Sequence, residues 1–353
     1  MGHGLSHIPT VDMSTINIDK LKKEFFYKNI SVGHHNRKYT RGEIVQSIIQ
    51  LCKHGETISE FCTAPSSDTL YRRLKLGINE LIKLYQEVAF PILEHYAKLY
   101  RRERWEIIID PTDEIFYGKK GDEYVIGTED GNKCFRFIEV IVCCRRIRLP
   151  VAIFPLKKGD SKVEILKPVI EKILKIVNPF NLLADAGFGS GEFIKMVQSL
   201  RLPFIIRIKA IGDIKRYIEA GMTSEVHFYE LESKERVHFH AKFGMSENGN
   251  CWALATSHYK THSNHLWDWY SRRWEIENSF KTQDRIQFKT ASRYCKMRLF
   301  TQMVTALLYL IWNVWRLISK VYFTIKQFVR LIICKLWFGS REEIDKLQAT
   351  YLL

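Results

Sequence analysis

The sequence predicts a mixed α/β protein: a sheet flanked by helices, with a helical region ahead of it and a β-rich insertion within it. Three observations predict this. Short apolar runs that close on an acid, at 105–110 and 181–185, read as buried strands. Helical amphipathic stretches alternate with strands between 160 and 208, the pattern of a sheet covered by helices. Hydrophobic residues make up 46% and charged residues 26% of 353 residues, enough for a sizeable core and unlike a disordered chain.

The first 104 residues read as helical. Ile44, Ile48, Ile49 and Leu51 form a helical stripe that ends at Gly55. A short helix from Ser59, the turn Ala64-Pro65-Ser66-Ser67 and a helix from about Asp68 follow, with Ser67 or Asp68 as N-cap. Thr69, Arg72 and Arg73 lie in the first turns of that helix. A helix-turn-helix would place them in a DNA major groove; a helical bundle with a basic face gives the same pattern. Another helix is expected from Ile78 to about Tyr100, before the basic run Arg101-Arg102-Glu103-Arg104.

The pattern then changes. Residues 133–156 read as two strands joined by a basic turn at Arg145 and Arg146. Val163, Leu166, Ile170 and Ile173 or Leu174 mark the inner face of an amphipathic helix. A strand, a helix and a strand follow to residue 208. Residues 210–257 turn to strands, and helix returns from about Asn264. The apolar run 299–318 has nearly the length of a membrane span, but Thr301, Gln302, Thr305 and Asn313 interrupt it, so a buried core helix is expected. The expected organisation is therefore 1–104 helical, 105–209 first part of the core, 210–260 β-rich insertion, 261–322 second part of the core and 323–353 helical tail.

A net charge of +15 attracts polyanions, nucleic acid before acidic membranes. Eight cysteines without a C-x-x-C pair point to reduced, buried thiols in a cytosolic protein. The N-terminus carries no basic-then-apolar signal pattern.

Two acids stand out by position. Asp110 follows Ile107-Ile108-Ile109, and Asp185 follows Leu182-Leu183-Ala184, so each is expected at the carboxyl edge of the sheet. Gly187, Gly189 and Gly191 would let the backbone bend sharply and a phosphate approach. For either acid alone a cap or an ion pair is the simpler reading. Together they suit Mg²⁺, which prefers oxygen ligands. Two such ions about 4 Å apart can activate an attacking oxygen and stabilise a leaving one. The segment 268–285 reads as one helix, with Tyr270, Arg273 and Glu277 at i, i+3 and i+7 on one face. His238, His240, His258, His262 and His265 lack the closed spacing of a zinc site and read as solvated or core residues.

The run Tyr270-Ser271-Arg272-Arg273-Trp274-Glu275-Ile276-Glu277 resembles the Y-(2)-R-(3)-E-(6)-K signature of DDE transposases from bacterial and archaeal insertion sequences. Ile109-Asp110-Pro111-Thr112, followed by Tyr117-Gly118, is similar to their first-Asp motif. Leu183-Ala184-Asp185-Ala186-Gly187-Phe188 is similar to their second, D-R-G-F. The resemblance spans 106–298. It implies an RNase H-like core with a β insertion between the second Asp and the Glu. Asp110, Asp185 and Glu277 would hold two Mg²⁺ (or Mn²⁺) ions, and Tyr270 and Arg273 would position phosphates. It further implies cut-and-paste transposition, terminal repeats read by the helical region through residues such as Arg72 and Arg73, and a homodimer on DNA. The expected setting is the prokaryotic cytoplasm and nucleoid, with no membrane partner. Two positions depart from the pattern: Ala186 replaces the usual Arg, and Asp284 stands where Lys is expected. Lys281, one turn nearer on the face of Glu277, is expected to serve the same phosphate. The alternatives are a copy decayed to a DNA-binding protein, and a nuclease of the same fold that hydrolyses without rejoining.

Overall fold

A computed structural model describes residues 22–30, 39–54, 72–127, 131–145, 147–245, 249–319 and 324–338. Among them a nine-stranded sheet forms the centre. Its strands are β1 (Trp105–Ile115), β2 (Val125–Gly127), β3 (Lys133–Cys144), β4 (Ile147–Leu156), β5 (Pro179–Ala184), β6 (Phe204–Ile208), β7 (Ser224–Glu230), β8 (Arg236–Met245) and β9 (Cys251–Thr256). β1 lies between β3, antiparallel, and β5, parallel. β5 pairs parallel with β6, β6 antiparallel with β9, and β8 and β7 complete that edge. β2 and β4 pair with the other side of β3. The first six residues of β1 are buried without alternation, as a strand enclosed on both faces requires.

The helices are α1 (Arg41–His54), α2 (Ile78–Leu99), α3 (Lys162–Leu174), α4 (Gly191–Ser199), α5 (Asp213–Glu219), α6 (Ser263–Ser271), α7 (Trp274–Asp284), α8 (Cys295–Ser319) and α9 (Ile325–Phe338). α2 and α8 pack on β4. One core runs unbroken from the N-terminal helices into the sheet, through Phe25, Ile44, Leu84, Val140 and Leu307. A second, smaller core joins Ile108, Ile141, Leu183, Ile205 and Leu254 to Leu266 and Tyr270 of α6. Each such buried side chain contributes about 1.5–3 kcal/mol, which fixes α6 against the sheet and with it everything α6 carries.

α8 is the expected core helix. Thr301, Thr305 and Asn313 are buried, and each donates to a carbonyl three or four residues back on α8 itself, so none is left unpaired by burial. Among the described residues no helix is long and apolar enough to cross a membrane. Cys52, Cys134 and Cys295 are buried free thiols, and Cys143 and Cys144 are buried as well.

Three local expectations change. β1 does not stop at Asp110 but continues to Ile115, paired with β3 throughout. Pro111 lies within this continuation, and proline removes a ladder donor. The parallel β1–β5 ladder ends at Ile109–Ala184, so from residue 110 on β1 needs ladder partners on the β3 side alone, and proline is tolerated there. The segment 210–257 begins with the short helix α5, and its strands β7–β9 extend the central sheet. The segment 268–285 is broken into two helices at Arg272 and Arg273. The expected turn at 64–67 and the cap at Ser67 or Asp68 lie outside the described residues, as does Arg146.

Candidate active site

Asp110 sits on β1 where its parallel neighbour ends, and β5 delivers Asp185 just beyond Ala184. The helix break brings the third acid to them. At the α6–α7 junction Arg272 N–H donates to Trp269 O at 3.2 Å and Arg273 N–H to Tyr270 O at 2.9 Å, a tight turn of three-residue bonds. Right-handed backbone angles persist through it, so Tyr270, Arg273 and Glu277 still converge.

Arg273 links them. Its Nη1 donates to Asp110 Oδ1 at 2.8 Å, its Nη2 to Glu277 Oε1 at 3.4 Å, and its Nε to Tyr270 Oη at 3.1 Å. Tyr270 is 1% exposed, so its hydroxyl holds the guanidinium in place and does not reach outward. Burial pushes the Tyr270 phenol above its ordinary range, against the pull of Arg273. Asp110 is 5% exposed. Burial pushes its carboxyl up to about 7; Arg273 pulls it down, and the charges of Asp185 and Glu277 push it up again. The three acids therefore act on one another electrostatically.

Asp185 is in a different setting. It is half-buried and caps the 3₁₀ turn Ala186–Phe188, where its Oδ1 accepts Gly187 N–H at 2.9 Å. The glycines behind it serve packing. A Cβ on Gly189 would stand 2.8 Å from Arg207 O, and one on Gly191 would stand 2.7 Å from Leu231 Cδ2. None of Gly187, Gly189 and Gly191 has the left-handed backbone that the expected sharp bend would use. Gly187 is exposed and leaves the open side of the turn accessible.

Three residues near the acids escaped the sequence reading. Lys162, at the start of α3, donates its Nζ to Gly187 O and lies over the Phe188 ring at 4.9 Å. Burial lowers its ammonium value while Asp185 raises it, so the lysine stands beside an acid whose usual neighbouring Arg is Ala186. No local pattern joins residues 162 and 187; only the fold does. Glu139, the cross-strand partner of Asp110 on β3, is 2% exposed. Burial pushes it up to about 8, Gln283 Nε2 donates to it at 3.3 Å and draws it down, and Asp110 raises it. A lone acid within the apolar run Phe135–Cys144 was the signal for it. Arg136 pairs bidentately with Asp113 at 2.7 and 2.6 Å, which engages the acid nearest in sequence to Asp110.

The remaining expected residues lie further out. Lys281 and Asp284 are exposed on α7. Arg72 is exposed and Arg73 half-buried, directly before the isolated bridge Ile30–Leu74. His238 is exposed, His240 stacks on Tyr259 at 5.1 Å, and His258 bonds Asn181.

The donor set is all carboxylate, which suits a hard divalent cation. The Asp110 carboxyl, held up first by burial and then by two like charges, is a position where added positive charge is favourable. As placed, no three His, Cys, Asp or Glu side chains among the described residues gather as metal ligands, and the Arg273 guanidinium spans Asp110 and Glu277. The acids thus suit a divalent cation in chemistry and charge, and Arg273 is a positive charge that Asp110 and Glu277 share.

Comparison with known proteins gives the following. Residues 102–314 match the family described as transposase DDE domain. Among solved structures, a piggyBac transposase, seen by cryo-EM in a synaptic complex with hairpin DNA, superposes with a TM-score of 0.60 at 12% identity. The match covers 96% of this chain and 87% of that one. A search of curated proteins finds no match.

Proposed function

The chain belongs to the transposase DDE domain family, and on that premise we propose that Asp110, Asp185 and Glu277 form its DNA-cutting and DNA-joining centre. The observation that carries this reading is the meeting of Asp110 from β1 and Glu277 from α7 on one guanidinium, with Asp185 at the end of β5 near enough to act electrostatically on Asp110. We read β4-β3-β1-β5-β6 as an RNase H-like core, with β7 to β9 as the insertion.

Asp110, Asp185 and Glu277 would hold divalent cations, Mg²⁺ or Mn²⁺ and two in number, which supply Lewis acidity at the phosphodiester. The Asp110 carboxyl gives up its proton as that charge arrives. Arg273, steadied by Tyr270, then has donors to offer a phosphate oxygen, and Lys162 offers a second cation on the Asp185 side. Water attacks phosphorus at the element's end and the 3′ oxygen leaves as a hydroxyl. That hydroxyl attacks a target phosphodiester, and the target's own 3′ oxygen leaves. DNA is the partner throughout. The helical region, with Arg72 and Arg73, reads the ends; Lys281 adds charge beside the site; two copies bring two ends together. The setting proposed for it is the prokaryotic cytoplasm and its nucleoid.

Asp284 and Ala186 favour a second reading, a chain that binds DNA but no longer cuts it. The test is transfer of a labelled element end into plasmid DNA with Mg²⁺ or Mn²⁺. Joined product is expected. Cleavage without joining means a nuclease, and DNA binding with neither step means the decayed reading.

A further inference from the structure

β1 and α7 both lead away from the acids to the same place. β1 runs from Asp110 to Ile115 and on into the loop 116–124; α7 runs from Glu277 into 285–294. Between these loops lies an open groove of about 580 Å³, lined among others by Tyr117, Lys120, Lys289 and Arg293. Five extended residues span about 17 Å, so the groove begins about five base pairs of duplex from Asp110.

The groove is positive. Its lining acid, Glu114, pairs with Arg298 at 2.7 Å, and both are largely buried, while Lys120, Lys289 and Arg293 are exposed. Its walls are also fixed. Phe116 is buried edge-on to Phe135, with ring centroids 5.5 Å apart. A Cβ on Gly118 would stand 2.4 Å from the Phe116 ring, and one on Gly121 would stand 2.2 Å from Val125 Cγ2. Asp122 ties the two loops together: its carboxylate accepts Cys295 N–H, and its own N–H donates to Arg293 O at 3.3 Å. On this anchored loop Tyr117 is held 92% exposed, and Tyr294 is 54% exposed beside the Arg293 guanidinium. A large ring kept in water on a rigid support buries nothing in the chain itself. Rings and cations so placed are what a phosphate-sugar backbone engages.

We propose that this groove binds the backbone of duplex DNA beside the cut site, with Lys120, Lys289 and Arg293 on phosphates and Tyr117 packed on sugar. The proposal rests on the DNA-cutting reading, and its test separates the two. The affinity of the full chain for a fluorescent random-sequence duplex of several helical turns is measured by anisotropy across a salt series. Each phosphate contact contributes about 0.9 to the slope of log affinity against log salt. The variant Lys120→Ala/Lys289→Ala/Arg293→Ala is expected to lower that slope by roughly 2 to 3, and each single variant by about 0.9. Tyr117→Ala is expected to weaken binding about tenfold at every salt concentration, with Tyr117→Phe restoring most of it. All four side chains changed are exposed, so melting temperatures check that the fold is kept. An unchanged slope and affinity in variants of a wild type that does bind overturns the groove and leaves the active-site reading standing. A wild type that binds no duplex at all overturns both.

Discussion

β1 and β5 lie side by side and each presents an aspartate to the same site, yet the two strand ends treat their acids in opposite ways. Asp110 is enclosed, clamped by Arg273 and pushed up to about 7. Asp185 is half-buried and satisfied by the N–H of its own turn. The local sequences are nearly alike, three apolar residues and an acid. The difference comes from what is packed on top: α6 and α7 close over β1 through Tyr270 and Arg273, whereas Lys162 leans toward the β5 end. A strand-end acid is thus a position, and its chemistry is set by elements distant in sequence.

This contrast can be broken by mutation. Arg273→Ala leaves a buried carboxylate without its partner, a loss of about 3 kcal/mol where that carboxylate is charged. Chemical denaturation should therefore show a larger loss at pH 8 than at pH 5, where Asp110 is protonated and the arginine matters less. An equal loss at both values would mean that Arg273 acts by packing alone.

The pH dependence of the metal-free chain sharpens the contrast further. Asp110 rises from 3.8 to about 7 on folding, and Glu139 from 4.5 to about 8. Between those limits the folded chain holds protons that the unfolded chain has lost, so these two acids weaken the fold as pH rises from about 4 to about 8. Each contributes a slope of up to about 1.4 kcal/mol per pH unit within its window. Asp110→Asn and Glu139→Gln should each flatten the curve and stabilise the chain at pH 8, by roughly 2 kcal/mol. Asp185→Asn keeps an acceptor for Gly187 N–H and should change stability by less than about 0.5 kcal/mol. Denaturation curves across pH for the three variants give the comparison directly. A pH profile that Asp110→Asn leaves unaltered would contradict the raised value.

Much of this was legible in the sequence. Unalternating apolar runs marked β1 and β5, because enclosed strands need no polar face, and the spacing of Tyr270, Arg273 and Glu277 marked the shared side of α6 and α7. The interruption of that helix was not legible: nothing in Ser271-Arg272-Arg273-Trp274 forbids a continuous helix. The continuation of β1 past Asp110 was not legible either, because it depends on the ladder to β3 outlasting the one to β5. Glu139 was legible in principle as a charge inside an apolar strand. Lys162 was not, because its partner Gly187 is brought to it by the return of the chain along β5. The tied loops of the groove depend on Asp122 meeting Cys295, a contact across most of the core sequence.

The most direct measurement is cleavage of a labelled element end by wild type and by Asp185→Asn, with and without Mn²⁺. Asp185→Asn is the informative variant because its fold should be unchanged. The account predicts cutting by wild type with the cation, none without it, and a loss of about a thousandfold or more in the variant, as expected for a group that acts as a unit with its partners. Cutting by Asp185→Asn at the wild-type rate, or by wild type in the absence of any divalent cation, would contradict it.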